Sequence, residues 1–357
     1  MAAIVAAVVL VLFALAYRFY ARWLGRRVYG DGEEMVTPAH ALRDGRDYVP
    51  AGRHVLFGHH FTSIAGAAPI IGPCVAAYWG WVPALIWVVL GTVLMGAVPD
   101  FGALVVSVRE RGRSIADIAG GVLGQRGRVM FLCFVAVLVW LVLAVFAMAI
   151  AGLFVGTPSS VLPVNIEIIV ALVIGWVLHK RGASVLLPSL IALAILYLFV
   201  WIGVTNEVDF RADAANLAAN QVGLTAFGWT DSEAKNFWIF ALFGYSAIAS
   251  LLPVWLLLQP RDFINSHQLV VGLGLLFAGL FLAAPDFGAP AIRAESDSGA
   301  PIFPLLFVTV ACGAISGFHG LVSSGTTSKQ LDRMADARPI GYGAMLGEGA
   351  LAMASLM

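Results

Sequence analysis

Apolar residues in this chain gather into ten runs, separated by short polar or charged segments. Nine of them cover 2–20, 61–78, 83–108, 129–155, 164–178, 185–204, 237–258, 269–284 and 302–322, and a tenth runs from about 340 to 357. About 20 apolar residues is the length a helix needs to cross the hydrocarbon core of a bilayer. The pattern therefore predicts an all-α integral membrane protein of about ten transmembrane helices, organised as a single transmembrane domain over residues 1–357. The first run has no Lys or Arg before it, and its positive charges follow it. That is not the layout of a secretory signal peptide. The tenth run reaches Met357 with no polar tail. The expectation is that the full protein continues C-terminally.

Composition removes the competing classes. Hydrophobic residues make up 60% and charged residues 12%, with a mean hydropathy of +0.90. A soluble domain carries about 25% charged residues and could not cover so much apolar surface. The 21 basic and 21 acidic residues cancel, so the basic surplus of a nucleic-acid binder is missing. Cys74, Cys133 and Cys312 lie inside apolar runs with no short spacing between them. This excludes a disulfide framework or a CxxC site, and the three read as small buried side chains.

The zero net charge conceals an asymmetry. Of the 21 basic residues, 18 fall in the segments that follow odd-numbered runs, from Arg18 through Arg338. Only Arg211, Lys235 and Arg293 fall in the alternate segments. Basic loops stay in the cytoplasm, which places the N-terminus outside. The outer loops 206–236 and 285–301 are acidic, with Glu207, Asp209, Asp213, Asp231 and Glu233 in one and Asp286, Glu295 and Asp297 in the other. They read as solvated loops.

Ionisable residues inside spans are costly and are functional candidates by default. Asp100, in the third run, is about five residues from its middle, or roughly 7 Å along a helix. A carboxyl buried there can take up and release a proton near neutral pH. Glu348, within Gly347-Glu348-Gly349, is the second such acid. These two are the proton-coupling candidates. Glu167 stands at the outer edge of the fifth run, where interfacial solvation is the simpler reading. His59 and His60 mark the cytoplasmic entrance of the second run, and His319 lies in the ninth. Adjacent histidines lack the i, i+4 spacing of a helical metal pair, so no metal site is assigned. Structural hydrogen bonding and contact with a proton or substrate both stay open.

Backbone irregularity points to a binding region. The second run contains Gly66, Pro69, Gly72 and Pro73. Each proline removes a donor, leaving the carbonyls of Ala65 and Pro69 without helical partners. Such groups must be buried in protein or line a cavity. The seventh run carries Gly244, Ser246 and then Pro253, which frees the Ala249 carbonyl. Runs two and seven are five apart and cross in opposite senses. An inverted five-plus-five repeat with a broken first helix in each half would look like this, with substrate at the midplane. Ser323 and Ser324, in the hydroxyl-rich end of the ninth run, are candidates to line a cation position. Packing by small residues is the alternative.

Several strings together resemble the carbon starvation protein A family of bacterial membrane transporters. They include Ala16-Tyr-Arg-Phe-Tyr20, Asp47-Tyr-Val-Pro50, Val55-Leu-Phe-Gly-His-His60, Gly96-Ala-Val-Pro-Asp-Phe101 and Leu252-Pro-Val-Trp-Leu-Leu-Leu258. Pro260-Arg-Asp262, Ala311-Cys-Gly-Ala-Ile-Ser-Gly-Phe-His319, Ser323-Ser-Gly-Thr-Thr327 and Gly341-Tyr-Gly-Ala-Met345 follow in order. The resemblance implies an inner-membrane importer of short peptides or of pyruvate, used under nutrient limitation. It also implies further spans beyond this sequence.

The combined expectation is a secondary active, proton-coupled importer of short peptides or pyruvate. Protons, substrate and the lipid bilayer are its partners. It carries no GxxxxGK[ST] nucleotide motif and needs no cofactor. Asp100 and Glu348 handle protons. His59, His60, Gly66, Pro69, Gly72, Gly244, Ser246 and His319 meet substrate. A passive channel and a membrane-embedded metal-dependent enzyme are the alternatives. Asp100→Asn would leave flux intact in the first, and the three histidines would have to converge in the second.

Overall fold

A computed structural model describes residues 1–32, 35–181, 186–205, 229–293 and 300–357. Every regular element among them is helical; an isolated parallel bridge joins Ala51 to Leu331. In chain order the long elements are α1 (Ala2–Tyr29), α2 (Arg53–Ile64), α3 (Ala68–Trp79), α4 (Trp81–Arg109), α5 (Ile115–Gly156) and α6 (Pro158–Val177). They continue as α7 (Leu186–Thr205), α8 (Asp231–Leu251), α9 (Leu258–Ala283), α10 (Ile302–Ala314), α11 (Gly317–Gly325) and α12 (Gly343–Leu356). Among the described residues, 7 helices are long and apolar enough to cross a membrane, the α10–α11 stretch Ile302–Lys329 counting as one. The bent pair α2 and α3 raises this to 8. α8 and α12, which match the seventh and tenth runs, fall outside that set. α8 opens on Asp231 and Glu233, and α12, which continues a π-helical stretch at Arg338–Tyr342, carries Glu348 and several glycines.

The chain divides into two compact units, one of residues 1–128 and 265–357, the other of 129–264. The first is built on a core that includes Phe13, Leu56, Phe61, Phe101, Leu104, Leu306, Tyr342 and Met353. The backbones of α3 and α10 come close because both carry glycine at the contact. A Cβ on Gly72 would stand 2.5 Å from the Thr309 carbonyl oxygen, and one on Gly313 would stand 2.7 Å from Pro69 Cα.

Both ends of this unit are tied down, by different means. At one end Trp81 stacks on Phe287 with ring centroids 4.0 Å apart. The Trp81 and Val82 amides donate to the Pro290 and Ala291 carbonyls, each at 3.1 Å. At the basic end, the Ala51 amide donates to the Gln330 carbonyl at 3.0 Å. His40 meets Asp332 at 2.7 Å, and Lys329 reaches Asp47 at 3.8 Å.

The second unit has two smaller cores, one around Ala171, Ala192, Leu257 and Ile264, the other around Phe154, Val161 and Trp238. Here the sequence reading needs correction at two points. α8 runs through Gly244 without interruption and ends at Leu251, and the Ala249 carbonyl accepts from the Leu252 amide at 3.3 Å. The proline therefore sits beyond the helix end and leaves no open carbonyl at Ala249. Glu167 is 7% exposed, so its side chain is enclosed by protein and not solvated at an interface. The cysteine reading changes as well. Cys74 and Cys133 are exposed and Cys312 is half-buried; the Cys74 thiol donates to the Ser355 carbonyl at 3.0 Å. The acidic loop residues Glu207, Asp209, Asp213, Glu295 and Asp297 lie outside the described residues.

Candidate functional site

The broken second run is seen directly. α2 ends at Ile64, residues 65–67 are non-helical, and α3 leaves at 46°. Pro69 stands in the first turn of α3, where its missing N–H costs nothing. Gly66 lies in the break, half-buried, while Pro69 and Gly72 are buried.

Pro99 shapes the neighbouring helix. A proline within a helix leaves a carbonyl open one turn earlier, and α4 carries a π-helical stretch at Gly91–Gly96. Such stretches often lie at functional sites. Two tyrosines take up carbonyls around it. The Tyr342 hydroxyl donates to Val93 at 2.9 Å and the Tyr29 hydroxyl to Val98 at 3.0 Å. A Cβ on Gly341 would stand 2.9 Å from Phe101 Cα. The chain therefore closes tightly around the turn that carries Asp100.

Asp100 is 1% exposed, and side chains from two other elements converge on its carboxylate. His60 Nε2, from α2, lies 2.9 Å from Oδ2. The Ser323 hydroxyl, from α11, donates to Oδ1. His60 Nδ1 is in turn 3.0 Å from the Thr327 hydroxyl. His60, Ser323 and Thr327 are fully buried. A carboxylate bonded to one imidazole nitrogen, with a hydroxyl on the other, is an arrangement through which a proton can pass.

Glu348 is the second buried acid, on α12. Neither of its oxygens makes a hydrogen bond among the described residues. His319 Nδ1 is 3.4 Å from Oε2, and the same nitrogen is 2.9 Å from Met345 Sδ. The flanking glycines explain the burial. A Cβ on Gly347 would meet the Phe61 ring at 2.9 Å, and one on Gly349 would meet Thr92 at 2.7 Å. Without those side chains α12 closes onto its neighbours and shuts the acid in. His319 and Ser323 are four residues apart, hence on one face of α11. This short helix therefore touches both acids. Glu348 and His319 are also within electrostatic reach of Asp100.

A family model described as carbon starvation protein CstA matches residues 1–357. The chain belongs to the carbon starvation protein CstA family. A peptide transporter CstA from Mycobacterium tuberculosis is 37% identical over 97% of this chain and 44% of its own length. The peptide transporter CstA of Escherichia coli is 36% identical over 97% of this chain and 48% of its own. The pyruvate/proton symporter BtsT of Escherichia coli is 37% identical over 97% and 47% respectively. The chain spans about half the length of the curated relatives it matches. No solved structure matches it.

Within this CstA-family chain, His60, Asp100 and Ser323 come together around one carboxylate, and His319 and Glu348 form a second pair beside it. His59 is buried next to His60, but points elsewhere, as neighbours on a helix must. Both histidines are buried in α2. Ser323 and Ser324 separate in the same way. The Ser324 hydroxyl donates to the Gly320 carbonyl at 2.8 Å and accepts from the Ile115 amide at 3.1 Å. Gly244 and Ser246 are exposed on α8, in the second unit. Among the described residues no three His, Cys, Asp or Glu side chains gather as metal ligands. Thr327 closes the hydroxyl tract of the ninth run, and nothing in the sequence marks its contact with His60, 267 residues away. Ser107, whose hydroxyl lies 2.8 Å from that of Ser328, gave no signal in an apolar run.

Proposed function

We propose that the full protein is a proton-coupled importer of short peptides or pyruvate in the bacterial inner membrane, used when carbon is scarce. The N-terminus lies outside, and residues 1–357 act as one transport domain of ten crossings. The observation that carries the reading is the sealed Asp100, bonded to His60 and Ser323 on helices of different runs. An acid so placed can bind a proton in a closed state and release it when the helices part. Glu348 is the second proton site. The Gly66–Gly72 break, Pro69 with it, supplies backbone to the substrate, along with His59 and His319. Ser323, whose hydroxyl donates to Asp100, stands at the cation position. Family membership supports transport as the task, and the relatives, peptide transporters and a pyruvate/proton symporter, supply the two substrate classes.

The energetics suffice. One proton crossing 100 mV releases about 2.3 kcal/mol. That sustains roughly 50-fold accumulation of a neutral substrate, since each 1.4 kcal/mol is tenfold. The test is uptake of labelled pyruvate and of a labelled dipeptide into vesicles of the full-length protein, with and without a proton gradient. Gradient-dependent accumulation of either one is expected. Uptake of both at the same rate without the gradient would leave a passive pathway as the better description.

A further inference from the structure

We infer that His60 is the residue that passes the Asp100 proton towards the Thr327 end of the site, and not the substrate contact its place in the sequence suggested. This rests on the proton-coupled reading above. Both ring nitrogens are occupied, Nε2 by Asp100 at 2.9 Å and Nδ1 by the Thr327 hydroxyl at 3.0 Å. The ring is fully buried. A substrate could reach either nitrogen only by breaking one of these bonds. The two bonds point to opposite sides of the ring, so the imidazole lies in series between the acid and the hydroxyl.

Thr327 gives this series a direction. It opens the turn Thr327–Lys329, and Lys329 reaches Asp47 at 3.8 Å with a quarter of its side chain exposed. The Thr327 side thus leads to the basic surface, and the Asp100 side leads into the core. His319 and Glu348, both buried, lie within electrostatic reach of Asp100, and His59 is buried beside His60.

The step balances without any change between heavy atoms. Protonated Asp100 gives its proton from Oδ2 to Nε2. The imidazole releases its Nδ1 proton to the Thr327 oxygen. That hydroxyl passes its own proton to a water molecule admitted when this end opens. One proton enters the ring and one leaves it, and the tautomer is restored by a turn of the ring or by the reverse passage.

The test uses the full-length protein in vesicles with two readouts, uptake driven by a proton gradient and counterflow exchange of labelled substrate at equal pH. His60→Gln should lower gradient-driven uptake by about 100-fold, in the range of lost acid–base transfer, while counterflow persists. Thr327→Val should give a smaller loss of the same kind, and Thr327→Ser should restore it. Retained gradient-driven uptake in both His60→Gln and Thr327→Val would overturn the inference. So would parallel loss of uptake and counterflow in Thr327→Val, because that marks a structural or substrate-binding role. Wild-type uptake indifferent to the gradient would instead overturn the coupled reading on which the inference stands.

Discussion

Asp100 and Glu348 are both sealed inside the same unit and both stand beside a histidine, yet among the described residues only Asp100 of the two is hydrogen-bonded. Around Asp100, His60 and Ser323 fill the carboxylate oxygens. Around Glu348, His319 lies at 3.4 Å and neither carboxyl oxygen is hydrogen-bonded among the described residues. Burying an acid is therefore not one condition. Asp100 is wired into its surroundings and has a path for its proton. Glu348 is shut in by helix packing, with His319 beside it but no hydrogen bond to either oxygen among the described residues. α11 contacts both, through Ser323 and His319, and so can register a change at either.

The contrast can be broken most forcefully at Asp100. Asp100→Ala leaves the Ser323 hydroxyl and His60 Nε2 without their acceptor, and each orphaned buried polar group costs about 1–3 kcal/mol. A loss on the order of 3 kcal/mol is expected in denaturant unfolding, with proton-driven uptake reduced by about 100-fold or more. Unchanged stability would mean that the hydrogen bonds around Asp100 contribute little. Next comes Gly349→Ala, which sets a methyl group 2.7 Å from Thr92. Overpacking of this kind costs about 1–3 kcal/mol and should loosen α12, read as faster labelling of a cysteine placed on its inner face. Glu348→Gln removes an ionisable group without removing a hydrogen bond. Its stability should stay within about 1 kcal/mol of wild type, and its uptake should fall less than that of Asp100→Ala. An equal or larger fall would reverse the ranking of the two acids.

The smallest effect belongs to an acid at the surface. Burial alone would raise the Asp44 carboxyl, but the amides of Arg46, Tyr48 and Asp47, at 2.8 to 2.9 Å, outweigh it and hold the group below its ordinary value. A lowered folded value means the contribution is complete above the unfolded value, about 3.9. It is lost as pH falls through the lower folded value. Amide exchange at 46–48 should therefore stay protected at pH 5 and open only well below pH 4. Asp44→Asn, which cannot ionise, should remove this pH dependence.

How far the sequence carries these features depends on whether their cause is local. The break in the second run is legible, because Gly66, Pro69 and Pro73 act on their own turns. The burial of Asp100 is legible from its place in an apolar run. The pairing of His60 with Asp100 is not, because 40 residues separate them; Ser323 lies 223 residues from the same acid. No periodicity links such positions; only the packing of α2, α4 and α11 does. The second break in the ninth run, at Ile315 and Ser316, is local and had a signal in Gly313 and Gly317. Pro253 was misplaced for the opposite reason. A proline that ends a helix and one that breaks it leave the same mark in a sequence, and only the neighbouring Leu252, extended in the structure, decides between them.

The most direct test of the central claim is substrate-induced proton flux. Vesicles of the full-length protein would carry an internal pH indicator and receive pyruvate or a dipeptide outside, with wild type and Asp100→Asn compared. The expected result is internal acidification on adding one of the substrates to wild type, and none with Asp100→Asn. Acidification of equal size in both would contradict the assignment of Asp100 as the proton carrier.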